Sequence, residues 1–392
     1  MMGVMSALKV FHVLASDTVG GGADEHTMLL CRDEQEMGMR VGLVAVEGPI
    51  LDEARRNGWP AFAFERHYNR HSLGALADLF RRERPDVVHT HKPLADLVGC
   101  RAAAAARVPV IVATIHVRLN TERAIRSRRF LKVIPLRVVR TRILCRIPQR
   151  LVAVSESTRR DALSKLAVPP ERVVTVHNGT DVARYRPLEG FERAAVRLGL
   201  GCPAGVPLIG VVARVVDVKG HHVLLEALPS ILSAVPDAHV VFVGKTDDTA
   251  YVKRLEEMAE RFGVAGRVHL TGTRRDIPEV LNALDVFVLP SHVEGLSRAA
   301  LEAMACGVPV VASDTDGNRE AMTHGVNALL VQPGDAGALG SEIQRVLRGR
   351  SLAERLGAEG RRTVVERFDS RRAAERQVRL YEEILSAGPN PV

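Results

Sequence analysis

Short apolar runs alternate with longer amphipathic stretches along nearly the whole chain. In the first half the runs are 9–15, 41–46, 61–64, 86–90, 108–115, 151–154 and 173–177. Several are almost unbroken Val, Ile, Leu and Ala. Strands buried on both faces read this way, whereas a half-exposed strand alternates. Helical spacing fills the intervals, as at 24–37, 73–84 and 94–107. The pattern then restarts with strands at 208–213, 239–243, 268–271, 286–290, 308–312 and 328–331. Helices are expected there at 218–232, 251–262, 298–306 and 337–347, and the chain ends in helical patterns at 352–368 and 370–385.

This is the signature of an α/β protein with parallel sheets covered by helices on both faces. The two series are separated by 184–207, which carries Pro187, Pro203 and Pro207 and several glycines. We place the linker there. The expected domains are 1–183 and 184–368, followed by a helix at 369–392 that crosses back to the first domain. Open parallel sheets bind ligands at the carboxyl ends of their strands. Two doubly wound, Rossmann-like sheets facing each other make a cleft, which is a preferred place for a ligand.

Composition changes this picture in one respect. The 392 residues carry a net charge of +8, with 54 Lys and Arg against 46 Asp and Glu. Residues 1–182 hold 28 basic and 19 acidic side chains, and the remainder holds 26 and 27. The excess is concentrated in 123–150, where ten basic residues stand without an acid, interleaved with Ile, Leu, Val and Phe130. Pro135 breaks or kinks the pattern. Such a segment suits an anionic membrane surface or an anionic acceptor, or is an ordinary helix with solvated arginines. Aromatics are only 4% of the chain, which argues against nucleic acid, since base stacking needs them. The five cysteines form no CxxC pair, so a reducing cytoplasm fits and a metal knuckle does not. The apolar start leads straight into a strand pattern and reads as a mature N-terminus.

The most informative stretch is VFVLPSHVEGLSRAALEAMACGVPVVASDTDGNRE, residues 286–320. A strand ends at Pro290, a loop carries Glu294 and Gly295, and a helix begins near Leu296 and Ser297. Glycine permits close backbone approach, and the free N–H groups of a new helix suit a phosphate. Glu302 lies two turns into that helix and can accept from sugar hydroxyls. Taken singly, each acid is equally at home on an ordinary helix. A second group follows the strand at 208–213: Arg214 and Lys219-Gly220 could both reach a pyrophosphate and stabilise it as a leaving group. Asp217 could pair with either cation. Gly244 and Thr271-Gly272 end the next two strands and would frame a nucleotide base. Gly21, Gly22 and Glu25 open the first helix, and His91 and His116 end strands of the first domain.

These motifs resemble the retaining glycosyltransferases of family 4, the glycosyl transferases group 1, which have the GT-B architecture. Their E-x7-E signature is matched by Glu294 and Glu302, and their Arg-x4-Lys-Gly by Arg214, Lys219 and Gly220. The resemblance implies transfer of a sugar from a nucleotide-diphosphate sugar, UDP before GDP, to an acceptor hydroxyl. It implies no essential cofactor or metal. It assigns Arg214, Lys219, Glu294 and His116 to catalysis. It assigns Gly21, Gly22, Arg214, Lys219, Gly244, Thr271, Gly272, Glu294, Gly295, Leu296, Ser297 and Glu302 to the donor. Glu25, His91 and His116 fall on the acceptor side. The acceptor could be a lipid-linked saccharide or glycan of the cell envelope, or a soluble small molecule. Location is expected to be cytoplasmic or peripheral on the inner membrane face. The alternatives are a sugar-nucleotide epimerase or phosphorylase of the same architecture, and a non-catalytic binder of nucleotide-sugar or nucleic acid.

Overall fold

The structure, a computed structural model, describes residues 8–16, 22–64, 70–116 and 129–388, the side chains of Arg70 and 129–137 excepted. The chain divides into two compact units, one of residues up to Gly179 together with Ser370 onward, the other Thr180–Asp369.

The first unit is built on seven strands: β1 (Lys9–Leu14), β2 (Arg40–Ala45), β3 (Ala61–Ala63), β4 (Val87–His91), β5 (Val110–Ile115), β6 (Arg150–Ala153) and β7 (Val173–Thr175). Their order is β3-β2-β1-β4-β5-β6-β7, and every pairing is parallel. Helices α1 (Gly22–Glu36), α2 (Pro49–Arg56), α3 (Arg70–Glu83), α4 (Pro93–Ala105), α5 (Arg129–Arg146) and α6 (Glu156–Lys165) connect them. One face of the sheet packs Phe11, Val13, Val44 and Val88 against Leu76 and Phe80 of α3 and Val98 of α4. Phe11 has no exposed surface, and its ring lies 5.4 Å from Phe62 and 6.4 Å from Phe80. Burying such a ring contributes about 2–3 kcal/mol.

Pro135 lies inside α5, which continues through it as one helix. Ile143 and Leu144 are buried in the same core, while Arg142 and Arg146 are exposed. Arg140 is turned inward: its guanidinium lies 2.8 Å from Asp96, which is fully buried on α4 and accepts from Thr90 at 2.8 Å. One of the segment's ten cations is therefore structural, holding α5 to α4.

The second unit has six strands: β8 (Leu208–Val212), β9 (His239–Val243), β10 (Val268–Gly272), β11 (Val286–Leu289), β12 (Val310–Ser313) and β13 (Leu329–Val331). They are ordered β10-β9-β8-β11-β12-β13, again all parallel. Its helices are α7 (Arg193–Gly199), α8 (His221–Ala234), α9 (Thr249–Arg261), α10 (Ile277–Ala283), α11 (Arg298–Ala305), α12 (Ala336–Arg348) and α13 (Arg350–Arg367). The last helix, α14 (Ser370–Ser386), belongs to the first unit, where Leu380, Tyr381 and Ile384 pack on Val10, Val87 and Val110. Thr180 forms a parallel bridge with Asp369, so the two ends of the second unit lie side by side. No described helix is long and apolar enough to cross a membrane.

The stretch 184–207, read as linker, is folded into the second unit. It contains α7, whose Arg197 is 6% exposed. Arg197 donates to Asp285 at 2.7 Å, and the same carboxylate accepts from Leu208 N at 2.7 Å and Arg193 at 2.9 Å. Asp285→Ala leaves a buried guanidinium without its anion, and breaking such a pair costs about 3–5 kcal/mol. We expect the second unit's melting midpoint to fall by roughly 6 °C or more, read by differential scanning calorimetry.

Candidate functional site

In each sheet the strand order reverses once, between β1 and β4 in the first unit and between β8 and β11 in the second. A ligand is expected outside the carboxyl ends of those strands. In the second unit the loops leaving β8 and β11 are docked on each other there. His292 N donates to Val218 O at 2.9 Å. Gly220, at φ +71°, lies directly on the Pro290 carbonyl, where any Cβ would collide. Gly317 lies in the same way on the Gly295 carbonyl, with Glu294 O beside it. These contacts bring Lys219 to Glu294, and Nζ donates to Oε1 at 2.6 Å. Glu294 is 9% exposed and the Lys219 side chain 24%. Asp217 faces Arg254 and His222 at 3.6 and 4.0 Å.

The helix α11 starts against this pair. Ser297 is its N-cap, and its hydroxyl accepts from Ala300 N at 3.4 Å. Leu296 turns its side chain into the core, so its contribution to a ligand would be its backbone. Glu302 is buried and accepts from Arg298, one turn earlier, at 2.8 Å. Sequence reasoning passed over Arg298. Its signal was the (i, i+4) pairing with Glu302 on one helix face.

Arg214 is exposed at the end of β8. Gly244, at the end of β9, lies on the Ala213 carbonyl beside it. Thr271 bonds backbone carbonyls of Phe242 and Gly272 at 3.5 and 3.3 Å, so its hydroxyl is turned to the backbone. Gly272 follows with φ +69°. His221, next to Lys219 in space and sequence, is fully buried with its ring edge-on to Phe242. Burial first, then the Lys219 charge, push its pKa down to about 3, so it stays neutral.

In the first unit, Gly21 and residues 123–128 lie outside the described residues. Gly22 and Glu25 are exposed in the first turn of α1. His116 is half-buried just beyond β5. His91 has no exposed surface, and both its nitrogens are engaged: Nε2 meets His12 Nδ1 at 3.0 Å and Nδ1 meets His116 Nε2 at 3.2 Å. That burial withholds His91 from direct contact with an acceptor. His89 is engaged by Tyr381 at 2.7 Å and Thr114 at 2.6 Å. Burial, reinforced by the neighbouring imidazoles, pushes His89 and His91 well below the ordinary histidine pKa.

Two described groups come close enough for a metal: His12, His89 and His91, and Cys202, His239 and His269. Most of their ring nitrogens are engaged with protein partners in the structure. Both nitrogens of His89 are taken, and His12 Nδ1 is on His91. In the second group Arg267 donates to His239 Nε2 at 2.9 Å. Nδ1 then carries the proton and points at His269 Nε2, 2.8 Å away.

Two Rossmann-like units, the second with a cation, a carboxylate and a capped helix at its switch point, belong to a protein whose class comparison with known proteins identifies as glycosyltransferase. The family described as glycosyl transferases group 1 matches residues 196–363, and glycosyltransferase family 4 matches residues 20–184. A D-inositol 3-phosphate glycosyltransferase of Xylanimonas cellulosilytica is 31% identical over 309 residues, 78% of this chain and 73% of that one. Its counterpart in Streptomyces bingchenggensis is 30% identical over 308 residues, 76% and 67% of the two chains. Among solved structures, Anabaena HepE in complex with UDP-glucose superposes with a TM-score of 0.83 at 23% identity, covering 97% of this chain and 100% of HepE. The chain belongs to the family 4 glycosyltransferases, which are retaining enzymes of GT-B fold.

The geometry around Gly317 makes a direct prediction. Gly317→Ala must push the Glu294–Gly295 loop off its seat. We expect a loss of about 1–3 kcal/mol in the second unit, read by thermal melting, with UDP binding weakened in calorimetry.

Proposed function

We propose that this glycosyltransferase takes its sugar from a nucleotide-diphosphate donor held by the second unit, while the first unit supplies acceptor-side groups. The Lys219–Glu294 pair at the start of α11 carries this reading. Breaking the sugar–phosphate bond places negative charge on the departing diphosphate. Arg214, Lys219 and the amides of Gly295, Leu296 and Ser297 are the donors suited to that charge. Glu294 and Glu302 can only accept when ionised, which suits them to hydroxyls of the donor sugar and the ribose. Gly244, Thr271 and Gly272 frame the base. His116, with Glu25, serves the reacting sugar and the acceptor. UDP is favoured because HepE, of the same fold, binds UDP-glucose and UDP.

Retention is assigned to attack on the face the phosphate leaves. The acceptor oxygen bonds to the anomeric carbon, the carbon–phosphate oxygen bond breaks, and the acceptor proton goes to the leaving phosphate. The acceptor is read as a glycan, lipid-linked or small anionic molecule, with 123–150 drawing it or an anionic inner-membrane surface near. The exposed Arg142 and Arg146 support this. A soluble phosphate-bearing acceptor is the second reading, favoured by the name of the D-inositol 3-phosphate relatives.

A donor panel with mass detection tests both readings, run with anionic vesicles, with inositol 3-phosphate, and with neither. UDP-glucose is expected to be hydrolysed or transferred. Lys219→Ala should lower turnover by roughly 10²–10³-fold in a protein that still melts in a cooperative transition. Normal turnover in that variant removes Lys219 from the reaction.

A further inference from the structure

Behind His116 runs a line of buried polar side chains. Glu34 of α1 has no exposed surface, and its Oε2 lies 2.8 Å from His12 Nε2. His12, on β1, reaches His91 at the end of β4, and His91 reaches His116 beyond β5, at 3.0 and 3.2 Å. A second branch ends on the same carboxylate. Tyr381 of α14 donates to Glu34 Oε1 at 3.2 Å, and its oxygen is 2.7 Å from His89 Nδ1. His89 Nε2 in turn lies 2.6 Å from the Thr114 hydroxyl.

The direction of every bond follows from the carboxylate. An ionised carboxylate only accepts, so His12 Nε2 carries a proton. With one proton per imidazole, His12 Nδ1 accepts from His91 Nε2–H, and His91 Nδ1 accepts from His116 Nε2–H. The second branch agrees: Tyr381 donates to Glu34, accepts from His89 Nδ1–H, and leaves His89 Nε2 to accept from Thr114.

We propose that Glu34, His12 and His91 are positioning residues that lock His116 as the Nε2–H tautomer, with Nδ1 the accepting nitrogen of the ring. This rests on the assignment of His116 to the reaction in the proposed function. None of the three touches substrate. Each acts by fixing which nitrogen of the next ring bears the proton, the role an outer partner plays for a working imidazole.

The test uses the full chain with 15N-labelled histidine and UDP-glucose as the probe. The wild type should show His116 and His91 as neutral Nε2–H rings. Glu34→Gln offers one acceptor and one donor in place of two acceptors, so the two branches compete for the amide oxygen. We expect mixed His116 tautomers and a kcat reduced roughly 10- to 100-fold, with the donor KM within about twofold. His12→Phe cuts the chain at another point and should do the same if Glu34→Gln does not fold. A wild-type His116 protonated on Nδ1, or an imidazolium at His12, overturns the chain without any variant. Unchanged His116 spectra in the folded variants also overturn it. Full turnover of His116→Ala overturns the positioning role through the failure of His116 itself, an outcome distinct from the other two.

Discussion

Backbone lying on backbone, with no side chain between, is the constraint on which the second unit's site depends. Gly220 sits on the Pro290 carbonyl and Gly317 on the Gly295 carbonyl. Through them, loops from β8, β11 and β12 are pressed into one layer at the point where the strand order reverses. Lys219 and Glu294 meet because their loops do. Neither residue could be brought there by its own helix or strand. The parallel sheet beneath supplies the platform, since both β8 and β11 end at the same level.

The first unit meets a different problem in a different way. Its sheet is apolar on the face that α3 and α4 cover, yet carries His12, His89 and His91 among fully buried groups near its own switch point. Buried polar groups without partners are costly. Here the described hydrogen bonds run from ring to ring and end on Glu34, so the desolvation of a carboxylate is offset by two donors. Polar satisfaction and a single orientation of His116 come from the same bonds.

The fold was legible because buried parallel strands leave a mark that local composition carries, as in the runs that became β5, β9 and β11. Short helices were not. α10 is two turns of Ile277–Ala283, too brief for its period to show, and α7 lay in a proline- and glycine-marked stretch that reads as linker. Pro135 signalled a break, but α5 continues through it. Glu294 and Glu302 were visible because they stand eight residues apart in one local motif. The bond from Lys219 to Glu294 spans 75 residues, and that from His12 to Glu34 joins a strand to a helix across the sheet. Such partners are selected by docking, which no window of sequence contains. His12 did leave one trace, an imidazole within an otherwise apolar strand.

The placement of α14 has a consequence for how the molecule is made. The first unit takes up segments on both sides of the second in sequence, with Tyr381, Leu380 and Ile384 closing over Val10, Val87 and Val110. During synthesis the chain emerges from its start. All of Thr180–Asp369 must therefore be translated while that apolar face and the Glu34 carboxylate still await their cover. The nascent first unit stays open for the time it takes to make the second. Only a chain translated through α14 can seal the histidine line, which makes α14 the latch of biosynthesis as well as a helix of the fold.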